Sequence, residues 1–345
     1  MADRYWVGGT ANWDGTAGTK WAATSGGAGG ESVPTSADDV FFDSNSSGTC
    51  TVASGNTGAK SVDCTGFSGG LTLSSSLTVY GDFTLSSGMT YSHSGIPLVL
   101  QGTGTVTTAG KLMGTTSIGD TDDSITVTLG DAWTSVSSPF ARSIFVAAGT
   151  FDTNNQTLTT AGINESNDDY NKTVNLGSST VNLTIQPPLR ILTATNLTFN
   201  AGTSQINLSS SFASIGGTGH TFYRVSFNGP NTGTKTISAN NSFFELASTT
   251  PVAHTITFQG DQGTIGTWSI TGSAGNVVTI NSSSAGTRRN FTLTEITTNI
   301  DYLNVTDIGE LSGNKFAVGF NSTNGGNNSN VYFSESPPGG AFFLF

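Results

Sequence analysis

Charge, histidine, cysteine and helix-forming runs are all scarce in this 345-residue sequence, and each scarcity closes off a class of function. Only 10% of the residues are charged, and 12 Lys and Arg face 23 Asp and Glu for a formal net charge of −11. No basic run exceeds the pair Arg288 and Arg289, so a phosphate backbone is repelled and nucleic acid is not an expected partner. No stretch approaches the roughly 18 apolar residues of a membrane helix, so helical membrane insertion is not expected either. The start, Met1 to Gly9, has no apolar signal core, and the expectation is a chain without a signal peptide, made and kept in the cytosol until assembly or lysis.

The three histidines, His93, His220 and His254, lie far apart without a common spacing, which leaves a metal triad or a Ser-His-Asp relay unsupported and reads each as a surface or turn residue. The only cysteines, Cys50 and Cys64, match no zinc spacing and are out of step with the repeat described below. They read as buried thiols acting as small hydrophobes, with a disulfide across a turn the alternative. No cofactor is expected. The Gly102 to Gly104 run opens no helix and so makes no nucleotide cradle. Carboxylates cluster at Asp120, Asp122 and Asp123, and again at Asp168 and Asp169 with Glu165 close by. Both clusters read as solvated turns, with weak Ca²⁺ binding at Asp120, Asp122 and Asp123 the alternative, since calcium takes hard oxygen ligands.

What the chain has instead is a short apolar-x-apolar triplet that returns at steps of roughly 20 to 25 residues. Val40 to Phe42, Val62 to Cys64, Phe83 to Leu85 and the neighbourhood of Val106 form one series. Phe244 to Leu246, Trp268 to Ile270, Phe291 to Leu293 and Phe316 to Val318 form another. Interleaved with the latter run Thr255 to Phe258, Val277 to Ile280 and Tyr302 to Val305, so that each coil has two inward faces. Strand side chains alternate, so the outer two residues of a triplet line a core and the middle Thr, Ser or Asn meets water. From Leu71 to Tyr91 the triplets follow at intervals of six, a hexad that does not persist. The pattern predicts an all-β chain forming a right-handed parallel β-helix, a solenoid of stacked coils. Asn at the turns tolerates the left-handed backbone region.

Three segments follow: an N-terminal cap region over 1–43, a β-helix body over 44–336, and a tail over 337–345. Trp6, Trp13 and Trp21 put three of the five tryptophans in the first. They read as an aromatic cap over the open end of the first coil, and the competing reading is a sugar-binding platform. Between 118 and 190 the phase is harder to follow, and Pro187 and Pro188 mark a bend, a lateral loop or a subdomain boundary. In the tail, a Pro/Gly hinge leads to Phe342, Phe343, Leu344 and Phe345. These four apolar residues either cap the last rung or dock into a partner protein.

Several stretches resemble β-helical virion structural proteins encoded by phages, of the capsid-decoration or tail-fibre class. They are Arg4 to Asp43, GTFDTNNQTLT at Gly149 to Thr159, and the closing run of WSITGSAGNVVTINSSSAGT, IDYLNVTDI and NSTNGGNNSNVYF. The resemblance implies a non-enzymatic component of a virion, often trimeric, whose partners are other virion proteins of the capsid or tail, its own copies in a homo-oligomer, and a host surface glycan. GDFTLSSG, Gly81 to Gly88, is similar to filamentous haemagglutinin-type adhesins. The alternatives to the structural role are a tail-spike glycan depolymerase, which needs a carboxylate pair on neighbouring coils, and a bacterial surface adhesin. Phe342 to Phe345 are the first candidates for an assembly contact, and Trp6, Trp13 and Trp21 the second.

Overall fold

A computed structural model describes residues 1–53, 57–93, 95–135, 144–165, 169–184, 189–190, 196–210, 212–230, 232–313 and 315–335, with backbone alone at 165 and 189–190. Among them there is no helix. Strands stack in parallel as a β-solenoid, and the one antiparallel strand pair among the described residues joins Asp3–Trp6 to Trp21–Ala22. The chain divides into two compact units, Met1–Asn182 with Thr193–Gly202, and Leu183–Leu192 with Thr203–Phe345.

In the first unit the predicted series is the stacking register itself. Val40 pairs with Val62, Val62 with Phe83, Phe83 with Val106 and Val106 with Leu129, each buried. A parallel in-register ladder brings like positions of successive turns together, so one turn's apolar residue lies on the next one's and its middle residue stays wet. The hexad has a different origin. Gly70–Leu73, Leu77–Val79 and Phe83–Thr84 do not stack on one another; they succeed each other around the coil, and Leu71 pairs a full turn on with Tyr91. The first unit therefore carries three strands per turn, where two inward faces were expected.

Glycine serves close approach between turns. A Cβ at Gly102 would stand 1.8 Å from the Tyr80 carbonyl oxygen, so the Gly102 to Gly104 run is a packing requirement of adjacent rungs. Asparagine serves the corners: among the described residues, seven of the ten non-glycine positions at positive φ are Asn, including Asn154, Asn155 and Asn299. Aspartate serves the turns. Asp14, Asp43, Asp63, Asp122 and Asp152 each accept the backbone N–H two residues on.

Trp6, Trp13 and Trp21 are fully buried and pack edge to face, Trp6 on Trp21 at 5.0 Å and Trp13 on Trp21 at 5.1 Å, with Phe42 and then Phe67 beneath them. Trp21–Ala22 takes the edge of Asp3–Trp6 that faces away from the next turn, leaving that edge paired. Cys50 and Cys64 are unbridged and buried, and burial pushes both thiols up from the ordinary value.

In the second unit two strands make a turn. Thr221–Phe227, Ser242–Ser248 and Thr264–Ile270, seven residues each, stack on one face, and Thr234–Ile237, His254–Phe258, Val278–Ser282 and Leu303–Thr306 on the other. Ile256, Ile280 and Val305 form one buried column there. The other predicted series departs from expectation at all three steps. Leu246, not Phe244, pairs with Trp268; Ile265 pairs with Leu293, which takes Phe291 out of register with Trp268; and Phe316–Val318 pairs with Val331–Phe333 while Arg289–Leu293 is continued by Ile308–Glu310. The ring of Phe316 still enters the core, 4.8 Å from Trp268.

Candidate functional site

The seven-residue strands of the second unit break the inward-outward alternation once. In Thr221–Phe227 the residues Phe222 and Val225 point inward, which leaves Tyr223 and Arg224 together on the outside. The same corner recurs one turn on, with Phe243 and Leu246 inward and Phe244 and Glu245 outward, and again with Ile265 and Trp268 flanking Gly266 and Thr267. Register fixes two outer columns. Phe222 pairs with Phe243 and Phe243 with Ile265, so Tyr223, Phe244 and Gly266 follow one another rung by rung. Arg224, Glu245 and Thr267 form the second column, with Arg224 Nε 3.2 Å from a Glu245 carboxylate oxygen.

Tyr223 and Phe244 are 37% and 57% exposed, and their rings stack with centroids 4.6 Å apart and planes 6° from parallel. That separation is about the 4.8 Å inter-strand spacing, so the stack follows from the register. Beside Gly266 lies a groove of about 340 Å³. Its floor is the outer face of Thr264–Ile270, with Gly266, Thr267 and Ser269, and its wall is the loop carrying Glu295, Ile296, Thr298 and Asn299. The wall is held at both ends. Thr294 donates its hydroxyl to the Gly266 carbonyl at 3.1 Å, buried Thr297 donates to Ala317 O at 2.6 Å, and Thr271 donates to Asp301 O at 3.0 Å.

In the first unit Tyr80, 40% exposed, borders two smaller grooves, one with Thr35, Ser36 and Thr57, the other with Gln101, Asp120 and Asp122. Asp122 is turned to its own loop: it accepts the N–H and hydroxyl of Ser124, which hold its carboxyl below the usual range. Asp123 accepts the Asn171 amide at 2.6 Å. No group of three or more His, Cys, Asp or Glu stands where it would hold a metal ion among the described residues, and that includes Asp120, Asp122 and Asp123. Asp168 and the Glu165 side chain lie outside the described residues.

His254 is not a surface or turn histidine. It is buried, receives the Ser248 hydroxyl at Nε2 (2.9 Å) and donates from Nδ1 to Val252 O at 2.8 Å. Burial, and to a lesser degree nearby Lys235, hold its pKa below the ordinary histidine value against the Val252 bond. A Ser-His pair in this tautomer is chemically a nucleophile and base, but here both partners are interior residues of neighbouring strands. Sequence spacing gave no sign of the pair, because a loop separates its members.

No protein-family model, curated protein or solved structure matches this chain. Of the predicted contact residues, Trp6, Trp13 and Trp21 have no exposed ring face to offer a sugar or a protein, being spent on one another and on Phe42. Phe342, Phe343, Leu344 and Phe345 lie outside the described residues. The outer aromatic pair was missed, since Phe244 reads as an inward member of a triplet.

Proposed function

We propose that this chain is a non-enzymatic structural protein of a phage particle, a β-solenoid that decorates the capsid or forms part of the tail or fibre and mediates assembly or surface contacts. Its partners are other virion proteins and further copies of itself. The observation that carries the reading is the parallel in-register ladder within each unit, together with the resemblance of Arg4 to Asp43, Gly149 to Thr159 and the closing segments to virion components. A ladder of this kind fixes the backbone of the strand residues it joins and leaves Thr, Ser and Asn outside, a composition suited to a rigid element that meets other surfaces.

A glycan depolymerase is the second reading, for which the groove beside Tyr80 offers Asp120 and Asp122, two carboxylates of one loop and not of neighbouring coils. Incubation with host polysaccharide separates the two: the structural reading expects no new reducing ends, and their release would overturn it. Deleting Ala341 to Phe345 tests the assembly contact. The truncated chain is expected to keep its β-sheet circular dichroism and to be missing from particles.

A further inference from the structure

We propose that the outer face of the second unit binds a neutral oligosaccharide, one hexose ring stacking on Phe244 over Gly266 and the chain running on into the adjoining groove. The inference rests on the surface-contact part of the proposed function and names the ligand of that surface.

Two large aromatic rings turned to water on adjacent rungs are not explained by the core, which the flanking Phe222, Phe243 and Ile265 already fill. Stacking occupies one face of each ring. The face of Phe244 turned away from Tyr223 looks along the sheet toward the rung of Gly266, where the aromatic column stops. That rung is closed to any side chain, because a Cβ on Gly266 would stand 2.5 Å from the Phe244 carbonyl oxygen. With no side chain on that rung, its own strand leaves the far face of Phe244 uncovered. A pyranose fits such a face: its axial C–H bonds carry partial positive charge, and the face of an aromatic ring is its negative pole.

The groove beyond supplies what a sugar's hydroxyls require. Thr267 and Ser269 on the floor and Thr298, Asn299 and Glu295 on the wall offer donors and acceptors that are not engaged elsewhere among the described residues. Its volume of about 340 Å³ lies in the range of small-ligand sites, and the Thr294 and Thr297 anchors hold its wall in place before binding. Charge decides the class of sugar. Glu295 is the groove's charged residue, Arg224 is paired to Glu245, and the chain carries −11 overall, so an anionic saccharide is repelled and a neutral one is not.

The test is calorimetric titration of the full chain with cellohexaose, maltohexaose and chitohexaose. At least one is expected to bind, with affinity falling about tenfold or more in Phe244→Ala and less in Tyr223→Ala, which supports the ring without presenting it. Phe320→Ala, an exposed aromatic outside the groove, is expected to bind as the unaltered chain does. Should Phe244→Ala lose its fold by circular dichroism, Phe244→Leu keeps apolar bulk and removes the π face, and the same loss is expected. Binding of none of the three sugars, or undiminished binding by a folded Phe244 variant, would overturn the proposal. Phe244→Ala is expected to enter particles normally, so a failed titration leaves the structural reading standing, and absence from particles bears on that reading alone.

Discussion

Ser248 and His254 close a buried hydrogen bond of 2.9 Å between the two faces of the second unit, with the other imidazole nitrogen held by the Val252 carbonyl. The geometry fixes a neutral imidazole. Because burial depresses the folded-state pKa below about 6.5, the unfolded chain takes up the proton first. The stability that His254 contributes is fully present above that pH and is lost as pH falls toward the folded-state value. The unfolding midpoint in urea is expected to drop between pH 7 and pH 5, and His254→Gln to flatten the slope. His93, whose pKa burial also lowers, accounts for a remainder. Ser248→Ala leaves Nε2 without its donor and is expected to cost about 1 to 2 kcal/mol at pH 7.

Glu310 tests the opposite end of the pH scale. Its carboxylate is buried, which alone would raise its pKa, but the Ser312 hydroxyl and the N–H groups of Leu293, Ser312 and Lys315 outweigh burial and hold it below the ordinary value. Its contribution is present above about pH 4.3 and is lost as pH falls through the folded-state pKa. Glu310→Gln turns an amide donor toward backbone donors and is expected to cost about 2 to 3 kcal/mol, measured as a shift in urea midpoint at pH 7.

The tryptophan cluster is expected to dominate the stability of the first unit. Trp21 touches both other indoles and Phe42, so Trp21→Ala should cost about 3 to 5 kcal/mol, read from chemical denaturation followed by near-ultraviolet circular dichroism.

Cys50 and Cys64 are expected to resist a thiol reagent in the native chain and to react together when urea unfolds it, because burial both screens the sulfurs and disfavours their thiolates. Rapid labelling of either thiol in the folded protein would contradict this.

Much of the architecture was legible because a parallel ladder repeats its inward positions. Val40, Val62, Phe83 and Val106 can be aligned by eye, and they do pair. The number of strands per turn was not legible, since consecutive strands around a coil and stacked strands on one face both appear as repeated triplets. Tyr223 and Phe244 were hidden by the corner at which two successive residues point outward, a local failure of the period-two rule that assigned Phe244 to the core. Ser248 with His254, and Glu310 with Leu293, pair residues whose separations follow loop lengths, which no periodicity encodes.

The most direct test of the proposed role is to locate the chain on purified phage particles by antibody labelling and electron microscopy. The account predicts label at a fixed site on capsid or tail of every particle, at constant copy number. Particles that carry no label, from a lysate in which the protein is abundant, would contradict it.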